Sequence, residues 1–409
     1  LKEKRFKNNL PDYSGNNNLT ITITPYANII EWIIQEIEFF IELTTSGGII
    51  MRFAVLGAGS AGQGIAGYLA LHGHEIKLYN RTQKRISKIQ QSKTLKVTGI
   101  LEGNARIQNS STCIEDIVTD CDYILLTARA FGHKTLVEES LPFISNHSKI
   151  VVFTAYWAAL TLQSILSQYN RKDITIIETT LLPLACRIIS PGHVHISGAK
   201  SKMRMAAYPY EHAYSTYKEL HSVLPQLFLG KNVLETSLEN YNPVIHVPIA
   251  LFNIEKLQKN PESFLFYNQG VSPQVAKIID ALDKERIAIS SRLGLDLDTA
   301  QHMLKDYYNV KGASTYQIIK NWKAVKEYVL PAPFEYVREE LLYGLSPLIS
   351  LCKCFSVPVP TASACIALWS AIDEVNYQKD GIKISDFGPE GMKKEDFLNL
   401  LRSSKLRED

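Results

Sequence analysis

Residues 51–81 read MRFAVLGAGSAGQGIAGYLALHGHEIKLYNR, and this stretch decides the fold. Phe53 to Leu56 form a short apolar run, Gly57, Gly59 and Gly62 spell G-x-G-x-x-G, and Ile65, Tyr68 and Leu69 then follow at helical rather than alternating spacing. Gly73 closes that helix, and Glu75 to Tyr79 begin a second strand. The first glycine permits a tight turn, the second lets backbone amides approach a pyrophosphate, and the third lets helix and strand pack closely. Ser60 and Ala61 open the helix, where unpaired N–H groups and a partial positive charge suit phosphate. Strand, turn, helix and second strand in this order predict a dinucleotide site built on Gly57, Gly59, Ser60, Ala61 and Gly62. A tight turn in an unrelated α/β domain is the alternative.

The end of the second strand selects the cofactor. An acid here would hold the ribose 2′-hydroxyl of NAD, but the chain has Asn80, followed by Arg81, Thr82 and Lys84. Loss of the acid removes repulsion against a 2′-phosphate, and Arg81 adds a fork-shaped cation suited to it. The expectation is NADP(H) rather than NAD(H), against the plainer reading of a solvated basic turn.

Outward from this unit the alternation continues through a helical stretch at Gln83–Gln90, smaller strands around Leu95–Ile107, an apolar strand at Tyr123–Thr127, a helix over Leu136–Ile144 broken at Pro142, and strands at Ile150–Phe153 and Ile174–Glu178. Buried strands separated by helices predict an α/β, Rossmann-type, doubly wound parallel sheet. Ligands on such sheets bind beyond the carboxyl ends of the strands, which puts Thr127–Gly132, with Thr127 itself at the cofactor, and Thr154–Ala158 beside the site. His193–Ser197 and Met203–Tyr208 read as shorter edge elements. Near Lys231 the pattern changes to long helices: Ser272-Pro273 is a helix start, Val275, Ile278, Ile279 and Leu282 keep helical period until Gly294, and Asp298 and Thr361 look like further N-caps. The expected division is a dinucleotide-binding domain over 51–236 and a mostly α-helical domain over 237–409. The first fifty residues, Asn-rich and unlike the rest, are expected to be an upstream extension outside the native fold, which would begin at Met51.

At 409 residues two domains are the default, and 44 Lys plus Arg against 41 Asp plus Glu gives a formal charge of +3 with no long basic run. Neither nucleic acid nor an anionic membrane is an expected partner. The apolar run Ile29–Leu43 is interrupted by Glu31, Glu36, Glu38 and Glu42 and makes a poor membrane span. Six cysteines without a disulfide or zinc rhythm fit a reducing, cytoplasmic setting, and Cys352 and Cys354 lack the companions a metal site needs.

Three stretches carry candidate chemistry. Asn242-Pro243-Val244-Ile245-His246-Val247-Pro248 stiffens the backbone around a histidine near the domain junction; imidazole is the usual proton donor near neutral pH, although a packed structural histidine is the common alternative. ETTLLPLACR, residues 178–187, follows a buried strand, so Arg187 could pair a substrate carboxylate or cap a helix. YVREELLYGLSP, residues 336–347, has adjacent acids; such a pair is usually a solvated face, but one aimed at the histidine would stabilise its imidazolium.

Taken together, GAGSAGQG, ETTLLPLACR, PGHVHISGAK, NPVIHVP, LDKERIAISSRLGL and REELLYGLSP resemble, in this order, the octopine/nopaline (opine) dehydrogenase family, from Met51 to about Met392. That resemblance implies a nucleotide-binding domain joined to an all-helical one, and reductive condensation of an α-keto acid with an amino acid through an imine, using NADH or NADPH. It implies that His246 is the acid/base of the family's NPxxH motif and that Glu340 stands where the family has the Asp partnering the histidine. The family's acid-Asp-x-Pro-Tyr-Gly-Leu becomes Glu339-Glu340-Leu341-Leu342-Tyr343-Gly344-Leu345, one methylene longer and without the proline. Glu335 occupies a position where members can carry an Arg for the keto-acid carboxylate; Arg338, one helical turn on, is the expected substitute. TAYWAAL, residues 154–160, is bulkier than a glycine-rich loop. The implied partners are small-molecule substrates, with a homodimer as the assembly to consider. A 2- or 3-hydroxy-acid dehydrogenase of the same fold and a non-catalytic NADP(H)-binding sensor are the rival readings.

Overall fold

The structure, a computed structural model, describes residues 50–387 and 394–401. The expectation for the first fifty residues falls on 1–49, outside the described residues. Among the described residues the strands are β1 (Arg52–Leu56), β2 (Glu75–Tyr79), β3 (Thr94–Gly99), β4 (Gly103–Arg106), β5 (Asn109–Ser111), β6 (Tyr123–Leu126), β7 (Lys149–Phe153), β8 (Thr175–Thr179), β9 (Leu184–Ser190), β10 (His193–Ala199), β11 (Met203–Tyr208) and β12 (Leu227–Leu229).

The larger sheet has the order β12-β11-β8-β7-β6-β1-β2-β5, parallel throughout except where β11 runs against β8. Its central strands carry apolar residues at consecutive positions, as in Val55-Leu56, Leu125-Leu126 and Val151-Val152, all buried, because both faces of a parallel sheet are covered. The expected doubly wound sheet is present.

The remaining strands form a second sheet, β4-β3-β10-β9, that the sequence pattern concealed. It lies on the helix Ser60–Leu71, and the approach is so close that a Cβ on Gly64 would meet Cys186 Sγ at 2.1 Å. Two strands expected at edges are therefore placed differently: β10 is interior to this second sheet, and β11 lies one strand in from the edge of the first. The helix expected over 136–144 runs from His133 to Ser140 instead.

After β12 the described chain is helical from Val233 onward. Ser272 caps the long helix Pro273–Leu293 through its side chain, and Gly294 ends it with φ +75°. The other caps differ from expectation. Thr299, not Asp298, accepts the His302 amide, at 3.1 Å. Thr361 lies inside the helix Pro360–Asp373, and Glu285 caps that helix from a neighbouring one, accepting the Thr361 and Ala362 amides at 2.7 and 2.9 Å. Glu178, fully buried at the end of β8, ties sheet to helices: it accepts from the Ala159 amide at 2.9 Å, from Ser237 Oγ at 2.8 Å and from Thr236 Oγ1. Among the described residues no helix is long and apolar enough to cross a membrane.

Candidate active site

The glycine turn has the shape a pyrophosphate needs. Gly57 adopts φ +120°, and Gly62 packs against it, so that a Cβ on Gly62 would lie 1.7 Å from the Gly57 carbonyl oxygen. A Cβ on Gly59 would meet nothing within 4 Å, which leaves open space over the turn. Thr127 braces the turn from β6, donating to the Leu56 and Gly57 carbonyls at 3.2 and 2.9 Å. Ser60 turns its hydroxyl to β9, where it accepts the Ile188 amide at 3.3 Å. Ala61 lies beside it in the first turn of the helix.

Asn80 braces the same turn. Its Oδ1 accepts the Ala58 amide at 3.1 Å and its Nδ2 donates to the Thr82 carbonyl at 2.9 Å. Arg81 is exposed, with no ion pair to any described residue. An open turn and a helix N-terminus at the end of β1 fit a dinucleotide.

His246 lies in the helix Asn242–Leu251, with Pro243 in its first turn. The acid that faces it comes from the helix Pro333–Glu340, which continues into a π-helical turn, Leu341–Leu345. The two segments cross closely: a Cβ on Gly344 would meet Pro243 Cγ at 2.3 Å. That approach brings His246 Nδ1 to 2.5 Å from Glu340 Oε1, with both side chains buried. A carboxylate on Nδ1 fixes the tautomer and leaves Nε2 to do proton chemistry. The second oxygen, Glu340 Oε2, is buried without a hydrogen-bond partner among the described residues.

Aromatic side chains enclose this pair. Tyr267 places its hydroxyl 2.6 Å from His246 Nε2, Phe266 meets the imidazole edge-on at 5.6 Å, and Tyr156 donates to Glu340 Oε1 at 3.5 Å. Burial holds both tyrosine hydroxyls well above their ordinary range, so they remain protonated donors. Tyr156 belongs to the loop after β7, where Thr154, Tyr156 and Trp157 all adopt positive φ, at 76°, 45° and 62°. Bulky residues are seldom held this way, and surrounding contacts fix them: Trp157 stacks on Phe387 and donates its amide to Ser237 Oγ at 3.0 Å.

The cofactor turn and the histidine pair meet through one short loop. Thr127 holds the glycine turn, while Ala130, three residues or at most about 10 Å of chain away, donates its amide to Glu339 Oε1 at 2.5 Å. Glu339 immediately precedes Glu340. Burial pushes the Glu339 carboxyl up to about 7, against the opposing pull of the Ala130 amide and the Arg129 cation.

The sequence-derived substrate residues divide. Arg187 is exposed on β9, a strand rather than a helix end, and its charge acts on Tyr328, whose ring is 5.6 Å from that of Tyr267. Arg338 does not join the site. Its guanidinium turns to Asp373, Nε to Oδ2 at 3.1 Å, so the substitution expected for the missing arginine at 335 is not realised. Sequence reasoning did not single out Arg129, whose Nη1 donates to Glu335 Oε2 at 2.8 Å, nor Tyr267; the former's only sequence signal was its place just beyond the end of β6.

The family model for the α-helical domain of NAD/NADP octopine/nopaline dehydrogenase matches residues 229–373, and that for ketopantoate reductase PanE/ApbA matches residues 53–209. An opine dehydrogenase of Arthrobacter sp. (strain 1C) is 30% identical over 344 residues, covering 83% of this chain and 96% of that protein. Vitopine synthase of Allorhizobium ampelinum is 22% identical over 327 residues, covering 77% and 89%. Among solved structures, octopine dehydrogenase in complex with NADH and agmatine superposes with a TM-score of 0.72 at 19% identity, over 88% of this chain and all of that one (100%). NADP+-bound yersinopine dehydrogenase does so with 0.66 at 17%, over 87% and 98%.

Proposed function

Because this chain belongs to the octopine/nopaline (opine) dehydrogenase family, we propose that it joins an amino acid to an α-keto acid by reductive condensation through an imine, as an NADPH-dependent oxidoreductase acting on a CH–NH bond. The observation that carries the reading is the buried His246–Glu340 pair, coupled by the 127–130 loop to a glycine turn shaped for a dinucleotide.

The bound nicotinamide supplies the hydride. Amides at Gly59, Ser60 and Ala61 would hold its pyrophosphate, and Arg81 would take the 2′-phosphate that distinguishes NADPH. Asn80 keeps the turn in shape, since its Oδ1 is committed to the Ala58 amide. Glu340 keeps His246 in the tautomer with a proton on Nδ1 and stabilises the imidazolium. His246 Nε2 then gives its proton to the carbonyl oxygen as water leaves, or to the imine nitrogen as the new C–H bond forms. Tyr267 occupies Nε2, so the substrate either displaces that hydroxyl or receives the proton through it. The aromatic enclosure keeps water from competing for the proton and strengthens the charge of the pair. Arg187 supplies a cation for a substrate carboxylate.

Supply of NADPH with a keto acid, with and without an amino acid, tests the reading. NADPH is consumed only when both are present, and the product contains a new secondary amine. Equal consumption with the keto acid alone would assign the chain to hydroxy-acid dehydrogenation, and cofactor binding without turnover on any pair would assign it to sensing.

A further inference from the structure

Arg129 lies two residues beyond Thr127, on the sheet edge where parallel α/β folds bind ligands. Its main chain is held from both sides. Gly132 N donates to the Arg129 carbonyl at 2.9 Å, Ala130 N donates to Glu339, and His133 Nε2 lies 3.0 Å from the Ala128 carbonyl. The guanidinium rests 4.5 Å from the centroid of the Tyr336 ring, a contact that sets the plane of the fork while leaving its N–H edges available.

Among the described residues only one of those edges is used. Nη1 donates to Glu335, and no other side-chain hydrogen bond from a described residue engages the fork. The partner is the wetter of the two: the Glu335 side chain is 67% exposed against 32% for Arg129. An ion pair this exposed holds weakly and yields to a competing anion that desolvates the fork and pairs with it bidentately. The same chain segment reaches the neighbour of Glu340 through Ala130, and Tyr336 lies in the fields of Arg129, Glu339 and Glu340 together. The fork is thus tied, through Tyr336 and Ala130, to the helix that carries Glu340.

We infer that Arg129 recognises the carboxylate of the keto acid, with Glu335 as an internal placeholder that releases the guanidinium when substrate enters. This rests on the reading that one substrate is an α-keto acid. Recognition by the nucleotide-binding half rather than by the helical domain explains how a chain with Glu at 335, and with Arg338 committed to Asp373, can still hold that carboxylate.

The test is calorimetric titration of the NADPH-loaded full chain with pyruvate, glyoxylate and 2-oxoglutarate. For whichever binds best to the parent protein, Arg129→Leu should weaken binding by about thirtyfold or more and Arg129→Lys by about tenfold, since a point charge replaces a fork. Glu335→Gln should tighten it roughly two- to fivefold by removing the competitor. NADPH affinity stays within about twofold, and in turnover the change falls on the KM for the keto acid rather than for the amine. Should Arg129→Leu fail to bind NADPH, the lysine and glutamine variants decide. Binding by the Arg129 variants within about threefold of the parent, or weaker binding by Glu335→Gln, overturns the inference and leaves the proposed function standing. If the parent chain binds none of the three, both fall.

Discussion

Gly62 lies so close to Gly57 that a Cβ built on it would meet the Gly57 carbonyl oxygen at 1.7 Å, whereas one built on Gly59 would meet nothing. Gly62 is thus fixed by packing within the protein, while Gly59 borders open space. Gly62→Ala should lower the melting temperature by several degrees and abolish NADPH binding, because turn and helix must separate. Gly59→Ala should melt within about two degrees of the parent yet bind NADPH at least tenfold more weakly, by filling the space reserved for the pyrophosphate. Thermal melts with nucleotide fluorescence titrations check both.

Asn80 and Arg81 separate bracing from recognition. Asn80→Asp keeps an oxygen for the Ala58 amide, loses the donor to Thr82, and adds a charge that repels a 2′-phosphate. It should shift the NADPH-to-NADH ratio of kcat/KM by about tenfold or more toward NADH. Arg81→Ala should cost NADPH roughly tenfold to a hundredfold while leaving NADH nearly unchanged. Equal losses for the two cofactors would show that Arg81 does not meet the 2′-phosphate.

Glu339 ties stability to pH. Its folded-state pKa, about 7, lies above the ordinary 4.5, so the native protein holds this proton more tightly than the unfolded chain does. The resulting stabilisation is complete below the unfolded value and is lost as pH rises through about 7. Glu339→Gln keeps an acceptor for the Ala130 amide and removes the titration. Between pH 5 and pH 8 the parent melting temperature should fall by a few degrees more than that of the variant, roughly as one buried ionisation allows. Parallel curves would contradict the assignment.

Much of the candidate site was legible because it is local. The glycine turn, the end of β2 and the NPxxH histidine each declare themselves within a few residues, and a helix placed His246 where Pro243 allows one to begin. What escaped was long-range. Arg129 and Glu335 are 206 positions apart, and nothing in either neighbourhood names the other. Tyr267 reaches His246 from a short helix of its own. The second sheet escaped because β3 and β10, although each alternates buried and more open positions, pair across almost a hundred residues, and nothing local to either names its partner. Local capping rules failed at Thr361 for a related reason: a buried acid from another helix does the work a threonine hydroxyl was expected to do.

His246, held by Glu340, is the proposed proton source. The most direct test is kcat for His246→Ala, measured beside Glu340→Gln on the amino-acid and keto-acid pair that the parent chain turns over fastest. Loss of about a hundredfold or more in the histidine variant, with a smaller loss in the glutamine variant and NADPH affinity within about twofold of the parent, is the predicted result. Turnover unchanged in His246→Ala would contradict it.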